Sequence, residues 1–202
     1  MDKGYKLYEK FFPIGLLDNV SRDFESVATF FPDSDVFRTK DGDVKQIQNC
    51  QFLPEFKDIA KHIHLMGFNG EILNMQYFIK HPGYKITAPH QDGAYFDNID
   101  DDIITFWIPL HRVGLDDGVL CYVDWDGSRV IRPHNSLGSN IRVRTGKVGY
   151  SQYNDEFDLS EFKPMEVGYG DCLIHNQFAM HYSDMNRGDK PRIAITCILR
   201  LI

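Results

Sequence analysis

The chain has only four cysteines, Cys50, Cys121, Cys172 and Cys197, and no two of them form a CxxC pair. That absence excludes a thiolate zinc site and thioredoxin-like chemistry. Scattered thiols fit a reducing cytoplasm, and Cys197 reads as a small buried apolar side chain. No apolar run is long enough to span a bilayer, and the chain does not open on a charged-then-apolar leader. A surplus of positive charge is also missing: 22 Lys and Arg face 29 Asp and Glu, a formal charge of −7. Nucleic-acid binders usually show a basic surface, so a phosphate backbone is not the main partner. An anionic small molecule stays open, because it responds to local charge. Internal repeats and low-complexity linkers are absent too. The expectation is a soluble, cytoplasmic protein, monomer or homodimer, with neither a nucleic-acid nor a membrane partner.

What is present fits one domain over residues 1–202 with a sizeable core. The hydrophobic content of 43% and aromatic content of 13% exceed those of a disordered chain. Leu16, Leu17, Val20, Phe24, Val27, Ala28 and Phe31 recur at three- and four-residue steps and predict one helical stripe ended by Pro32. A second helix is predicted from Pro54 through Phe56, Ile59, Ala60 and Ile63, stopped by Gly67 or Gly70. The period then changes to two: Leu73, Met75, Tyr77 and Ile79 alternate with Asn74, Gln76, Phe78 and Lys80. Further strands are predicted at 103–110, 118–125, 147–153, 171–175, 178–182 and 192–202. The expectation is a mainly β fold with flanking N-terminal helices. Residues 1–70 would form a helical buttress and 71–202 a jelly-roll core, a double-stranded β-helix with a pocket between two curved sheets.

Two residues in this pattern carry chemistry at close range. Alternation puts His90 and Asp92 on one face of an extended segment, so one stretch can deliver two ligands to one ion. Alone, an HxD pair is weak evidence, because about one is expected by chance in such a composition. The second imidazole must come from a distant strand, and His175 and His181 compete. His181 precedes Arg192 by eleven residues, separated by the turn-rich segment 184–191. A hairpin there would set His181 and Arg192 at similar depth, which favours His181. His175 then reads as a hydrogen-bonded pocket or core histidine. Arg192 opens a strand of small and apolar neighbours, and an inward guanidinium there needs an anion. Its fork matches a carboxylate. Two histidines, one carboxylate and an arginine in this order suggest an iron oxygenase that uses 2-oxoglutarate.

The set Lys80-His81-Pro82-Gly83, His90-Gln91-Asp92, Trp107-Ile108-Pro109-Leu110, Asp117-Gly118-Val119-Leu120, Gly127-Ser128, Gly170-Asp171, His181-Tyr182-Ser183, Asn186 and Arg192 resembles the phytanoyl-CoA dioxygenase family. The resemblance implies Fe(II) bound by His90, Asp92 and His181, with 2-oxoglutarate anchored by Arg192 and O2 as the oxidant. It implies that Ser183 touches the same carboxylate, that Gln76 and Trp107 line the co-substrate pocket, and that Gln91 lies near it. It also implies hydroxylation of a small organic molecule, because related halogenases vacate the position of Asp92 for halide. Members often carry Gly-Ser-His where this chain has Gly127-Ser128-Arg129. Arg129 therefore either meets an anionic substrate or is structural.

Other features leave two readings each. Arg129, Arg132 and His134 form a basic cluster that either meets an anion or is solvated. The acidic run 97–102 is a lid or a solvated loop, and Tyr95 and Phe96 line a cavity or fill the core. Two further functions remain open: a cupin-type metalloenzyme that does not use 2-oxoglutarate, and a peptidyl hydroxylase.

Overall fold

The computed structural model describes residues 1–96, 101–124, 126–132, 134–136, 151–153 and 158–202. In chain order, β1 (Tyr5–Tyr8) is followed by α1 (Ile14–Asp18), α2 (Phe24–Ala28), β2 (Val36–Arg38), β3 (Val44–Ile47) and α3 (Pro54–Leu65). Then come β4 (Gly70–Lys80), β5 (Thr87–His90), β6 (Ile103–Pro109), β7 (Leu120–Tyr122), β8 (His134–Ser136) and β9 (Ser151–Tyr153). The last strands are β10 (Lys163–Met165), β11 (Cys172–Asn176), β12 (His181–Ser183) and β13 (Arg192–Leu201). Seven strands pair in the order β1-β11-β6-β13-β4-β3-β2, and four in the order β10-β7-β12-β5. Pairing is antiparallel throughout, and the two sheets make the jelly roll. β8 and β9 form a separate two-stranded ribbon.

Alternation along β13 and β4 builds both faces of the large sheet. Ile193, Ile195, Cys197 and Leu199 join Met75, Tyr77 and Ile79 in one buried cluster with Phe56, Ile59 and Ile63 of α3. The helices therefore cover the outer face. The opposite face carries Trp107, Leu173 and Ala194 against Leu120, Tyr122 and Tyr182 of the small sheet. α3 starts at Pro54 as its sequence predicts, and Gly67 at φ 91° follows its end.

The N-terminal third departs from the predicted helical buttress. β1, β2 and β3 extend the large sheet at both edges, so residues 1–70 contribute strands as well as helices. The predicted stripe from Leu16 to Phe31 is two short helices. Asp23 interrupts it by capping α2, its carboxylate accepting from the Ser26 amide at 3.1 Å and the Ser26 hydroxyl at 2.7 Å. The stripe still reaches the core, since Leu17, Val20, Val27, Ala28 and Phe31 are all buried. The predicted strand 118–125 reduces to β7 and 178–182 moves to β12, while of 147–153 the described part is β9.

The hairpin predicted between His181 and Arg192 does not form. β12 pairs with β5 and β7, whereas β13 pairs with β4 and β6. Both edges of each strand are already taken, so segment 184–191 crosses from one sheet to the other. Asn186 holds that crossing, donating through Nδ2 to the carbonyls of Lys80 at 2.7 Å and Lys190 at 2.9 Å.

Candidate metal centre

His90 and His181 are direct cross-strand partners on β5 and β12, with ring centroids 4.3 Å apart. Asp92 lies just past the end of β5, where it opens a 3-10 turn over Asp92–Tyr95. It thus reaches His90 by the turn of the chain and not by alternation along one strand. Gly93 lets that turn pack closely: a Cβ there would stand 2.4 Å from Ile131 Cδ1 and 3.1 Å from the Gln177 carbonyl oxygen. One ligand atom from each of the three side chains falls within 4.8 Å of the others.

Hydrogen bonds decide which atoms these are. Nδ1 of His90 meets the Ala88 carbonyl at 2.8 Å, and Nδ1 of His181 meets the Ala179 carbonyl at 3.0 Å. A carbonyl only accepts, so each Nδ1 carries the proton and each Nε2 keeps its lone pair. Both Nε2 atoms stand 3.7 Å from Asp92 Oδ1. Burial lowers the pKa of both imidazoles, which keeps them neutral and able to ligate. Burial alone would raise the Asp92 pKa, but the hydrogen bond from His175 brings it well below the carboxylate range. Two neutral nitrogens and one ionised oxygen, preformed, suit a divalent transition metal.

His175 is the third imidazole here, and its nitrogens are spent otherwise. Nε2 meets Asp92 Oδ2 at 3.0 Å, and Nδ1 meets the Tyr122 hydroxyl at 2.8 Å. Its hydrogen-bonded role agrees with the reading of the sequence, although its partner is the Asp92 carboxylate itself.

Asp92, His90 and His181 open onto a cavity of about 240 Å³. Gln76, Trp107 and Ser183 line it, as do Tyr95 and Phe96. Arg192 is 5% exposed and lies behind this wall, its guanidinium 5.3 Å from the Trp107 ring and its Nη2 3.4 Å from Ser183 Oγ. Its Nε and Nη1 have no partner among the described residues. Burial lowers its pKa to about 10.

Lys80, to which the sequence pattern assigns no role, belongs to the site. It pairs across the sheet with Arg192, lines the cavity and is 5% exposed. Its Nζ donates to Ser183 Oγ and to the Ser183 carbonyl, each at 2.9 Å. Burial, and then Arg192, lower its pKa to about 7. The signal was its position on the polar face of β4, in line with Asn74 and Gln76. Gly118 keeps space for it: at φ 74°, a Cβ there would stand 2.8 Å from Lys80 Cδ.

Gln91 does not face the cavity. Its amide donates to the carbonyls of Phe178 at 2.8 Å and Val130 at 3.1 Å and accepts from the Arg132 amide at 2.9 Å, which ties three segments together. Arg129 is also outside the wall, paired with Asp102 at 2.7 Å and set over the Phe178 ring. Arg200 pairs with Asp101 at 2.9 Å and with Glu71. Residues 97–100 of the acidic run and the side chain of His134 lie outside the described residues.

Solved structures share this fold. EvdO2 from Micromonospora carbonacea var. aurantiaca, complexed with 2-oxoglutarate, is 16% identical with a TM-score of 0.71, over 100% of this chain and 87% of that one. The non-heme alpha ketoglutarate dependent carbocyclase SnoK from nogalamycin biosynthesis is 17% identical with a TM-score of 0.68, over 98% and 80%. EctD from S. alaskensis, in its apoform, is 14% identical with a TM-score of 0.67, over 99% and 74%. At these identities the likeness is one of fold. A search of curated protein sequences gives no match. No helix among the described residues is long and apolar enough to cross a membrane. The profile of the phytanoyl-CoA dioxygenase family matches residues 18–194, a span that holds His90, Asp92, His181 and Arg192, and the chain belongs to that family.

Proposed function

We propose that this protein is an Fe(II)- and 2-oxoglutarate-dependent dioxygenase that hydroxylates a small organic molecule. The observation that carries the proposal is the pairing of two preformed features, one on the cavity wall and one at and just behind it. One is a ligand set of two imidazole lone pairs and one carboxylate oxygen. The other is a buried pair of cations, Lys80 and Arg192, in no ion pair among the described residues. A metal alone explains the first feature and leaves the second without cause. A dicarboxylate that reaches from the metal to the cations accounts for both.

In this reading His90 Nε2, Asp92 Oδ1 and His181 Nε2 hold the iron. Arg192, Lys80 and Ser183 hold the far carboxylate of 2-oxoglutarate, and Gln76 and Trp107 bound its stem. With both bound, the centre supplies the oxidising power that puts one oxygen atom of O2 into a C–H bond, while 2-oxoglutarate becomes succinate and CO2. The protein's own work is to fix these groups and to keep the cavity dry. Tyr84, Tyr95, Phe96 and Leu120 give the remaining wall an apolar character suited to a small substrate. Lys45 and Lys85 also line the cavity, so an anionic group on the substrate is met there and not at Arg129.

The test is turnover of 2-oxoglutarate by the iron-loaded protein in air. Slow succinate release is expected without added substrate, with loss in His181→Ala. Metal binding with no succinate release would favour a metalloenzyme that does not use 2-oxoglutarate.

A further inference from the structure

Two side chains outside the ligand set close on one oxygen of Asp92, and a third holds one of them in place. Thr105 Oγ1 donates to Oδ2 at 2.7 Å, and His175 Nε2 donates to the same oxygen at 3.0 Å. Tyr122 then fixes His175. A carboxylate only accepts, so His175 Nε2 carries a proton, and Nδ1 accepts from the Tyr122 hydroxyl at 2.8 Å. Tyr122 cannot turn away easily. Its ring lies between Tyr5, stacked at 4.4 Å, and His181, stacked at 5.4 Å.

The origin of these groups matters. Thr105 and His175 are cross-strand partners on β6 and β11 of the large sheet. Asp92 follows β5 of the small sheet, and Tyr122 ends β7 of the same sheet. The large sheet thus reaches across the cavity to hold a carboxylate that the small sheet presents. An aspartate left alone turns about its Cβ–Cγ bond and can chelate a metal through both oxygens, which would consume a position needed by co-substrate or O2. Two donors on Oδ2 occupy that oxygen and leave Oδ1 facing both histidines.

We propose that Thr105, His175 and Tyr122 form a clamp that holds Asp92 as a one-oxygen metal ligand. The inference rests on the metal-centre reading above. His175 and Tyr122 are positioning residues: the lone pair of His175 Nδ1 is used by the phenol, so His175 itself does not ligate. Groups that orient a metal ligand affect metal affinity even though they never touch the ion.

The experiment is Co(II) titration of the metal-free protein, followed by the visible d–d absorption of Co(II), with circular dichroism to establish that each variant is folded. The wild type should bind one Co(II) per chain. His175→Leu should weaken binding about 10–100-fold, the usual effect of losing such a partner. His175→Gln should recover part of that loss, because its amide can donate to Oδ2. Thr105→Val and Tyr122→Phe are near-isosteric, keep the test alive if His175→Leu does not fold, and should each weaken binding and alter the Co(II) spectrum. Folded Thr105→Val and Tyr122→Phe proteins with the affinity and spectrum of the wild type would overturn the clamp alone. A wild-type protein that takes up no Co(II) would overturn the metal-centre reading and the clamp with it.

Discussion

Lys80 and Arg192 stand directly opposite each other on neighbouring strands of the large sheet, both buried and both basic. Like charges at opposed positions repel, and burial strips each of water. Such a pair is stable in the fold only at a cost, which a bound anion would remove. That relationship leads to two predictions.

The first concerns ligand affinity. Arg192→Met should weaken 2-oxoglutarate binding to the iron-loaded protein by about 2–5 kcal/mol, the range for removing one member of a buried charge pair. The same substitution should leave the metal-free protein as stable as the wild type or more so, because an uncompensated buried charge is gone. Calorimetric titration gives the first quantity and denaturant unfolding the second. Unchanged 2-oxoglutarate affinity would show that the anchor lies elsewhere.

The second concerns pH. The Lys80 pKa falls from 10.5 to about 7 in the fold. Above about pH 7 the unfolded chain therefore holds a proton that the folded chain has released, and stability rises with pH on that account. Unfolding free energies at about pH 7 and about pH 9 should show this rise in the metal-free wild type relative to Lys80→Met. Parallel pH dependence in the two proteins would mean that Lys80 keeps its ordinary pKa.

A third prediction separates the two histidines that compete in the sequence. His181→Ala should abolish metal binding, because it removes a ligand lone pair. His175→Gln should keep one metal per chain at reduced affinity, because it alters only the hold on Asp92. Metal content after anaerobic loading and desalting distinguishes the two, and equal loss in both would place His175 among the ligands.

A fourth lies far from the site. Asp23→Ala removes the cap of α2 and should lower stability with metal affinity unchanged. Urea unfolding reads the cost directly, and a stability equal to the wild type would show that the cap contributes nothing.

Residues whose role follows from local pattern were legible in the sequence. The alternation of Ile193, Ile195, Cys197 and Leu199 against Arg192, Ala194, Thr196 and Ile198 sorts β13 onto two faces, because a strand's period is fixed by its backbone. Pro54 and the apolar steps after it mark α3 for the same kind of reason. The convergence of His90, Asp92 and His181 was also legible, though by a wrong route. The predicted hairpin fails because β12 and β13 belong to different sheets, and strand partners are chosen by tertiary packing that no local segment records. β1, β2 and β3 were missed because three or four residues carry too short a period to read. Lys80 and Gln91 show the same limit at the level of side chains. Lys80 stood in the family-like motif without a role and is buried beside Arg192, and Gln91 was read as lying near the co-substrate and ties loops together.

The most direct test of the account is anaerobic addition of 2-oxoglutarate to the Fe(II)-loaded protein, followed by visible absorption. A weak charge-transfer band that saturates at one 2-oxoglutarate per iron and is lost in Asp92→Ala is expected. Iron binding with no band at any concentration of 2-oxoglutarate would contradict it.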